Sequence, residues 1–153
     1  PKNNFNTKFF MFFFVPFFIV QIILPLRHHF IKGDVLFTEE GHRLAWRMML
    51  RERKGNIYIK VVDKKTKEYQ YYDYASELTS RQVKVLNNSP DFIWQYCQKI
   101  KKESKKSISI FVECTVSINR RQYYKLIDEK TDMATATFDY FGHNEWVLLH
   151  NLN

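Results

Sequence analysis

The chain has 153 residues, and its 24 Lys and Arg residues against 16 Asp and Glu residues give a formal net charge of +8. This length suits roughly one domain and excludes a large multidomain enzyme. Hydrophobic residues make up 45% of the chain and charged residues 26%, which is typical of a folded protein and excludes wholesale disorder.

An uncharged and strongly apolar stretch runs from Phe9 to Leu26. As a helix it would be about 27 Å long, close to the roughly 30 Å hydrocarbon core of a bilayer. A signal peptide is one alternative, but no small-residue cleavage site follows. A buried core helix is another, but the remaining chain is too short to cover a helix that is apolar on every face. We expect a transmembrane helix with its interfacial exit over residues 1–31 and an extramembrane domain over residues 32–153.

Two residues within this stretch predict neighbours in the membrane. Pro16 would remove a helical hydrogen bond and kink the helix, and Gln21 would place an amide in hydrocarbon. Both are tolerated where other helices supply hydrogen-bond partners. Because the chain also begins at Pro1 rather than Met, we expect it to be the C-terminal piece of a longer protein. Its partners would then be the lipid bilayer and the upstream membrane helices of the same protein.

The first part of the predicted domain has the pattern of an antiparallel meander. Leu44–Arg51 alternates like a strand, Lys54–Asn56 resembles a tight turn, and Ile57–Val62 would be the hairpin partner. A second turn over Asp63–Lys67 would lead into a third strand over Glu68–Tyr72.

Two helices are predicted after this meander. Thr79 and Gln82 have the spacing of a capping box, and Ser89 followed by Pro90 is typical of a second helix start. One apolar stripe at helical spacing follows in the second helix, formed by Phe92, Ile93, Tyr96, Cys97 and Ile100.

The clearest strand covers Ser107–Ile118, where apolar and polar residues alternate. A turn at Asn119–Arg121 leads into Gln122–Ile127, and a last apolar run, Trp146–Leu149, would close or dock on the sheet. Cys114 falls on the apolar face of this strand, and Cys97 falls on the apolar stripe of the second helix. We therefore expect both cysteines to be buried. The predicted fold class is α+β: an N-terminal transmembrane helix followed by an antiparallel sheet with two inserted helices.

Several kinds of site are not expected. The four glycines are too far apart for a dinucleotide-binding motif or a P-loop, and the five histidines lack metal-ligand spacing, so we predict no metal. The basic excess is spread along the chain rather than clustered, and we therefore expect no nucleic-acid partner.

The most informative segment is Thr38–Arg51, which concentrates chargeable and aromatic groups just after the membrane exit. A structural interpretation is a strand with Trp46 facing the core and with Arg43, Arg47 and Arg51 solvated. That interpretation does not account for the acids and His42 at the start of the segment. Our hypothesis is that Arg43, Arg47 or His42 attracts a peptide carboxylate near the membrane surface.

Five pieces of the sequence together carry a family resemblance: Leu24–His28, Thr38–Met49, Ser117–Asn119, Leu126–Asp128 and Glu145–Leu148. In order and spacing they resemble the vitamin K-dependent gamma-carboxylase family, in particular its bacterial, HTTM-containing members. The resemblance covers nearly the whole chain. It implies carboxylation of the γ-carbon of peptide glutamate with carbon dioxide, oxygen and reduced vitamin K, whose oxidation to the epoxide generates the base.

The resemblance implies no catalytic residue in this chain, because the family's deprotonating lysine lies in the upstream helices. The piece alone should therefore be inactive. The segment that matches the family's substrate-glutamate motif supplies seven substrate-binding candidates: Glu40, His42, Arg43, Trp46, Arg47, Met48 and Met49. A glutamate-containing peptide or protein would be a further partner. The alternative function, from a different class, is a non-enzymatic membrane-anchored module that binds another protein.

The side of the membrane is predicted differently by two arguments. Counts of Lys and Arg near the two ends of the helix differ by one, which would place the domain in the cytoplasm. The resemblance implies the extracytoplasmic side. We follow the resemblance, since long domains translocate largely regardless of their charge.

Overall fold

The computed structural model describes residues 7–46 and 51–150. It begins with helix α1, Thr7–Leu26, which is followed by a single 3-10 turn over Arg27–Phe30. Among the described residues, one helical stretch, Lys8–Phe30, is long and apolar enough to cross a membrane, and almost none of it is buried in the protein. The predicted apolar helix is confirmed. A short helix α2, Val35–Thr38, follows and is capped by the side chain of Asp34.

A four-stranded antiparallel sheet forms the centre of the domain. Its strands, in the order β2-β1-β3-β4, are β1 over Arg53–Asp63, β2 over Tyr69–Tyr71, β3 over Ile108–Ile118 and β4 over Tyr124–Lys125. β1 and β3 pair along their whole length, from Arg53 opposite Ile118 to Asp63 opposite Ile108. A bridge between Ile127 and Val147 docks the last apolar run beyond β4.

Two helices, α3 over Ser80–Leu86 and α4 over Pro90–Glu103, are inserted between β2 and β3. The capping box of Thr79 and Gln82 is present as predicted. Ser89 is the residue before α4, although its side chain makes no capping hydrogen bond. The predicted α+β class is confirmed.

The hydrophobic core combines side chains of α4, β1 and β3. The alternating apolar residues of β3, from Ile108 to Ile118, are all buried, as are Ile57, Ile59 and Val61 of β1. From α4, Ile93, Tyr96, Cys97 and Ile100 are buried, whereas Phe92 is exposed. Cys97 and Cys114 are free and buried as expected, and burial raises the pKa of each thiol to about 12.

The predicted meander is wrong at its first strand and first turn. Leu44 has a φ of 63° and lies in a turn, so residues 44–46 are not a strand; residues 47–50 lie outside the described residues. Lys54–Asn56 is not a turn but part of β1. Gly55 is required there because a Cβ would lie 1.8 Å from the carbonyl oxygen of Asn87. The main partner of β1 is therefore the distant strand β3.

Candidate functional site

The segment 39–46 is fixed directly against the end of α1. Glu39 ends α2 in the left-handed conformation, with a φ of 61°. Gly41 follows with a φ of 72°, and a Cβ there would lie 2.8 Å from Ile31 Cδ1 and 3.0 Å from His28 Cβ. Only a glycine combines this backbone conformation with such close approach. The segment and the helix exit thus form one packed unit, which we call the junction: residues 27–31, residues 39–46 and the loop 139–144.

Arg27 joins the three parts of the junction. Its Nη2 donates a hydrogen bond of 2.9 Å to the carbonyl oxygen of Arg43. Its guanidinium also lies over the ring of Phe141, 5.1 Å from the ring centroid. A single cation from the 3-10 turn that follows α1 therefore contacts both the segment and the C-terminal loop.

Glu40 is held by a buried set of hydrogen bonds. Its side chain is 2% exposed. His143 Nδ1 donates to Glu40 Oε2 at 2.7 Å, while the backbone N–H and the side-chain amide of Asn144 both donate to Glu40 Oε1 at 2.8 Å. Because an ionised carboxylate only accepts hydrogen bonds, His143 must carry its proton on Nδ1. Glu40 thus fastens the segment to the C-terminal loop.

Arg43 contacts the beginning of α4. Its Nε donates to Asp91 Oδ2 at 2.5 Å, and its guanidinium lies 4.9 Å from the ring centroid of Phe92. Phe92, which departs from the buried apolar stripe of α4, is thus in contact with Arg43. Arg43 positions the segment against the domain.

Glu39 faces two buried arginines. Arg51 Nη2 donates to Glu39 Oε1, and Arg53 Nη1 lies 3.7 Å from the same oxygen. Arg53 Nη1 also donates to the carbonyl oxygens of Leu36 and Phe37. The side chains of Arg51 and Arg53 are only 8% and 7% exposed. Burial lowers the pKa of Arg53 to about 10, although the nearby Glu39 carboxylate opposes this shift.

These two arginines have more donors than the described residues satisfy. Arg51 Nε, Arg53 Nε and Arg53 Nη2 are buried and have no hydrogen-bond partner within residues 7–46 and 51–150. Two guanidiniums therefore share one carboxylate, and the cluster carries one net positive charge. Such an arrangement favours an anion, since an unpaired buried charge is costly.

The other candidate residues differ in their placement. Trp46 is exposed, and His42 is half-buried with Nδ1 lacking a partner within the described part of the chain. Arg47, Met48 and Met49 lie outside the described residues. The structure thus brings Glu40, His42, Arg43 and Trp46 together at the junction, with Glu40 and Arg43 already occupied by partners of the same chain.

Sequence reasoning missed five residues of this site: Glu39, Arg51, Arg53, His143 and Asn144. Arg51 was expected to be solvated, and it is buried instead. The repeated arginines at alternate positions were the signal that could have identified Arg51 and Arg53. The pairing of Glu40 with residues more than a hundred positions away left no local signal.

A cavity of about 550 Å³ opens beside the junction and is lined by His143 and Asn144 together with residues of the 128–146 loop. A second cavity, of about 860 Å³, lies between β2 and the end of α4, with several charged residues in its lining. Within the described residues, no group of three or more His, Cys, Asp or Glu side chains could hold a metal ion.

A comparison with known families gives one match. The family model described as vitamin K-dependent gamma-carboxylase, lumenal domain, matches residues 6–153. This match confirms the resemblance found in the sequence. No solved structure matches the chain.

Proposed function

Because the chain belongs to the vitamin K-dependent gamma-carboxylase lumenal domain family, we propose that it is the C-terminal part of a membrane-embedded gamma-glutamyl carboxylase. The reaction joins carbon dioxide to the γ-carbon of a peptide glutamate and is coupled to oxidation of reduced vitamin K to its epoxide. The part described here helps to bind the glutamate substrate.

In this proposal, α1 anchors the protein in the membrane. Residues 1–31 span the bilayer and leave it at the junction, and residues 32–153 form a domain on the extracytoplasmic side. Support comes from the exposed apolar surface of α1 and from basic groups at its exit, among them Arg27. The upstream membrane helices of the same protein would pack against α1 at Pro16 and Gln21.

The observation that carries the substrate-binding proposal is the excess of guanidinium over carboxylate around Glu39. Arg51 and Arg53 share the single carboxylate of Glu39 and keep three buried N–H donors unpaired among the described residues. Arginine binds carboxylates through paired, charge-assisted hydrogen bonds. A glutamate side chain would bring the one negative charge that balances the cluster.

The candidates from the sequence take complementary roles in this proposal. Glu40 and Arg43 hold the segment in place, the first through His143 and the second through Asp91. Trp46, which is exposed, and His42, which is half-buried, belong to the same segment and would contact the substrate from there. The remaining candidates, Arg47, Met48 and Met49, lie outside the described residues and stay predictions from the sequence.

Neither of the two cavities described above fits a vitamin K quinol. Its fused rings and isoprenoid tail need an enclosed apolar cavity, whereas the two cavities beside the sheet are open and carry charged residues in their linings. We therefore assign quinol binding, and the chemistry it drives, to the upstream membrane helices. The residues of this chain bind and orient the carboxylate of the substrate.

The test uses the full-length protein in detergent with reduced vitamin K, labelled bicarbonate and a glutamate peptide. Label incorporation and epoxide formation are followed separately, in the wild type and in the Arg51→Gln variant. We expect Arg51→Gln to raise the KM for the peptide while leaving peptide-independent epoxide formation intact, since in this proposal Arg51 contacts Glu39 and the substrate carboxylate but not the quinol. Arg120→Gln is the matched control, because Arg120 is exposed and pairs with Glu52 on the surface.

Other outcomes would redirect the assignment. Epoxide formation without label incorporation in the wild type would mean that oxygenation persists with a different acceptor. If neither signal appears, the non-enzymatic binding module becomes the better description. Equal effects of the Arg51 and Arg120 variants would contradict a substrate contact at Arg51.

A further inference from the structure

Four large apolar side chains are exposed around the junction. Phe30, Leu44, Trp46 and Phe141 are 88%, 66%, 79% and 72% exposed. None of these side chains carries a hydroxyl group, unlike Tyr58, Tyr69 and Tyr71, which are the exposed aromatic residues of β1 and β2. We call these four residues the apolar collar.

The collar is tied to the end of α1 by direct contacts. Phe30 belongs to the 3-10 turn that continues α1. The ring of Phe141 lies beneath the guanidinium of Arg27, and the carbonyl oxygen of Arg43, just before Leu44, accepts a hydrogen bond from the same guanidinium. The collar residues therefore lie around the point where the apolar surface of α1 ends.

The turn that carries Leu44 and Trp46 exposes two large apolar side chains, which is unfavourable in water. Leu44 has a φ of 63°, a conformation that is uncommon for residues other than glycine, asparagine and aspartate. The same turn leaves both the Leu44 side chain and the Trp46 ring exposed. Large apolar side chains that are exposed in the same region of a protein favour a site of interaction.

Basic residues near the collar indicate that the partner at this site is lipid. Arg27, His28, His29 and Lys32 occur within the exit itself, and Arg43 lies beside Leu44. Tryptophan and basic side chains together are typical of the boundary between lipid headgroups and acyl chains. Positions 27–32, which join α1 to the domain, contain no acidic residue.

We propose that the apolar collar inserts into the headgroup and acyl-chain boundary of the bilayer beside α1. The domain then rests on the membrane through Phe30, Leu44, Trp46 and Phe141 in addition to its covalent link to the helix. This inference rests on the membrane anchoring given under the proposed function. It adds that the segment 39–46 contacts the lipid through Leu44 and Trp46.

The experiment places environment-sensitive fluorophores on single introduced cysteines in the full chain, reconstituted in vesicles of zwitterionic and anionic phospholipids. The native thiols of Cys97 and Cys114 are buried and have raised pKa values, so they need not be removed. Labels at Leu44→Cys and Phe141→Cys report on the collar. A label at Ile19→Cys reports on α1, and one at Tyr71→Cys on the exposed edge of the sheet.

We expect a blue shift and strong quenching by lipids brominated near the headgroup for the labels at positions 44 and 141, and neither effect at position 71. Quenching at position 19 without quenching at 44 and 141 would overturn the inference while leaving the membrane anchor intact. Absence of quenching at position 19 would overturn both. Equal quenching at all four positions would indicate adsorption of the whole domain and would also overturn the inference.

A second measurement avoids any effect of the cysteine substitutions on folding. The tryptophan emission of the wild type minus that of Trp46→Phe isolates the signal of Trp46, because Trp94 and Trp146 donate hydrogen bonds within the domain and are common to both. We expect this difference signal to be quenched by the brominated lipids. A difference signal with the emission and accessibility of a water-exposed indole would contradict the inference.

Discussion

Replacement of Glu40 tests how the junction is held together. In Glu40→Ala, His143 Nδ1 and the backbone N–H of Asn144 lose their acceptor, while the side-chain amide of Asn144 keeps a 3.0 Å bond to the carbonyl oxygen of Asp139. Leaving a buried donor unsatisfied costs about 1–3 kcal/mol. The cost lies at the upper end of this range where the lost acceptor was a charged group. We therefore expect Glu40→Ala to lower the free energy of unfolding by about 3–5 kcal/mol.

The conservative variant Glu40→Gln should be less harmful. Its amide oxygen can still accept the two hydrogen bonds from Asn144, and its amide group can donate to His143 if that ring changes tautomer. We therefore expect Glu40→Gln to lower the free energy of unfolding by about 1–2 kcal/mol. For a chain of this size each kcal/mol corresponds to roughly 2–4 °C in Tm, so Glu40→Ala should lower Tm by roughly 10 °C.

The assay is thermal unfolding of the full chain in detergent, followed by tryptophan fluorescence. Trp146 is buried beside the Glu40 contacts and reports on this region. Glu113→Ala is the matched control, since Glu113 is an exposed residue of β3. If Glu40→Ala and Glu113→Ala unfold at the same temperature, the reasoning is refuted. In a double-mutant cycle, Glu40→Ala and His143→Ala should also be strongly non-additive.

Three further predictions concern the rest of the domain. A hydrogen bond from Tyr72 is the main cause that lowers the pKa of Glu77 from 4.5 to about 2, so its ionised form stabilises the fold above pH 4.5 and this stabilisation is lost as the pH falls towards 2. Glu77→Gln should flatten that part of a plot of urea midpoint against pH. Cys97 and Cys114, buried and with raised pKa values, should resist a thiol reagent at pH 8 until the chain is unfolded, and rapid modification of the native protein would contradict their burial. Gly55→Ala should separate β1 from the end of α3, because its Cβ would lie 1.8 Å from a backbone carbonyl oxygen; an unchanged Tm would show that the two elements can move apart freely.

Local patterns in the sequence predicted local structure well. The capping box at Thr79 fixes the start of α3 because both of its hydrogen bonds connect residues three positions apart. The alternation along β3 predicted which side chains are buried, since a strand between β1 and β4 presents one face to the core. Each of these features depends on neighbours in the chain.

Features that depend on distant residues were not predictable in the same way. The Lys54–Asn56 stretch has the composition of a turn, but its glycine serves the close approach of Asn87 to β1. Arg51 was expected in solvent because its partner, Glu39, belongs to a helix end that the sequence did not indicate. For the same reason the sequence indicated the segment that carries the candidate site but not the buried contacts that fix its shape.

The contacts of Glu40 also determine when its segment can fold during synthesis of the protein. His143 and Asn144 follow Glu40 by 103 and 104 positions. At roughly 5–20 residues per second, a ribosome would complete Glu40 about 5–20 s before either partner exists. During that time the carboxylate must remain hydrated, so the segment beside the nascent helix stays open. The packing of this segment against the C-terminal loop is thus one of the last steps in the folding of the newly synthesised chain.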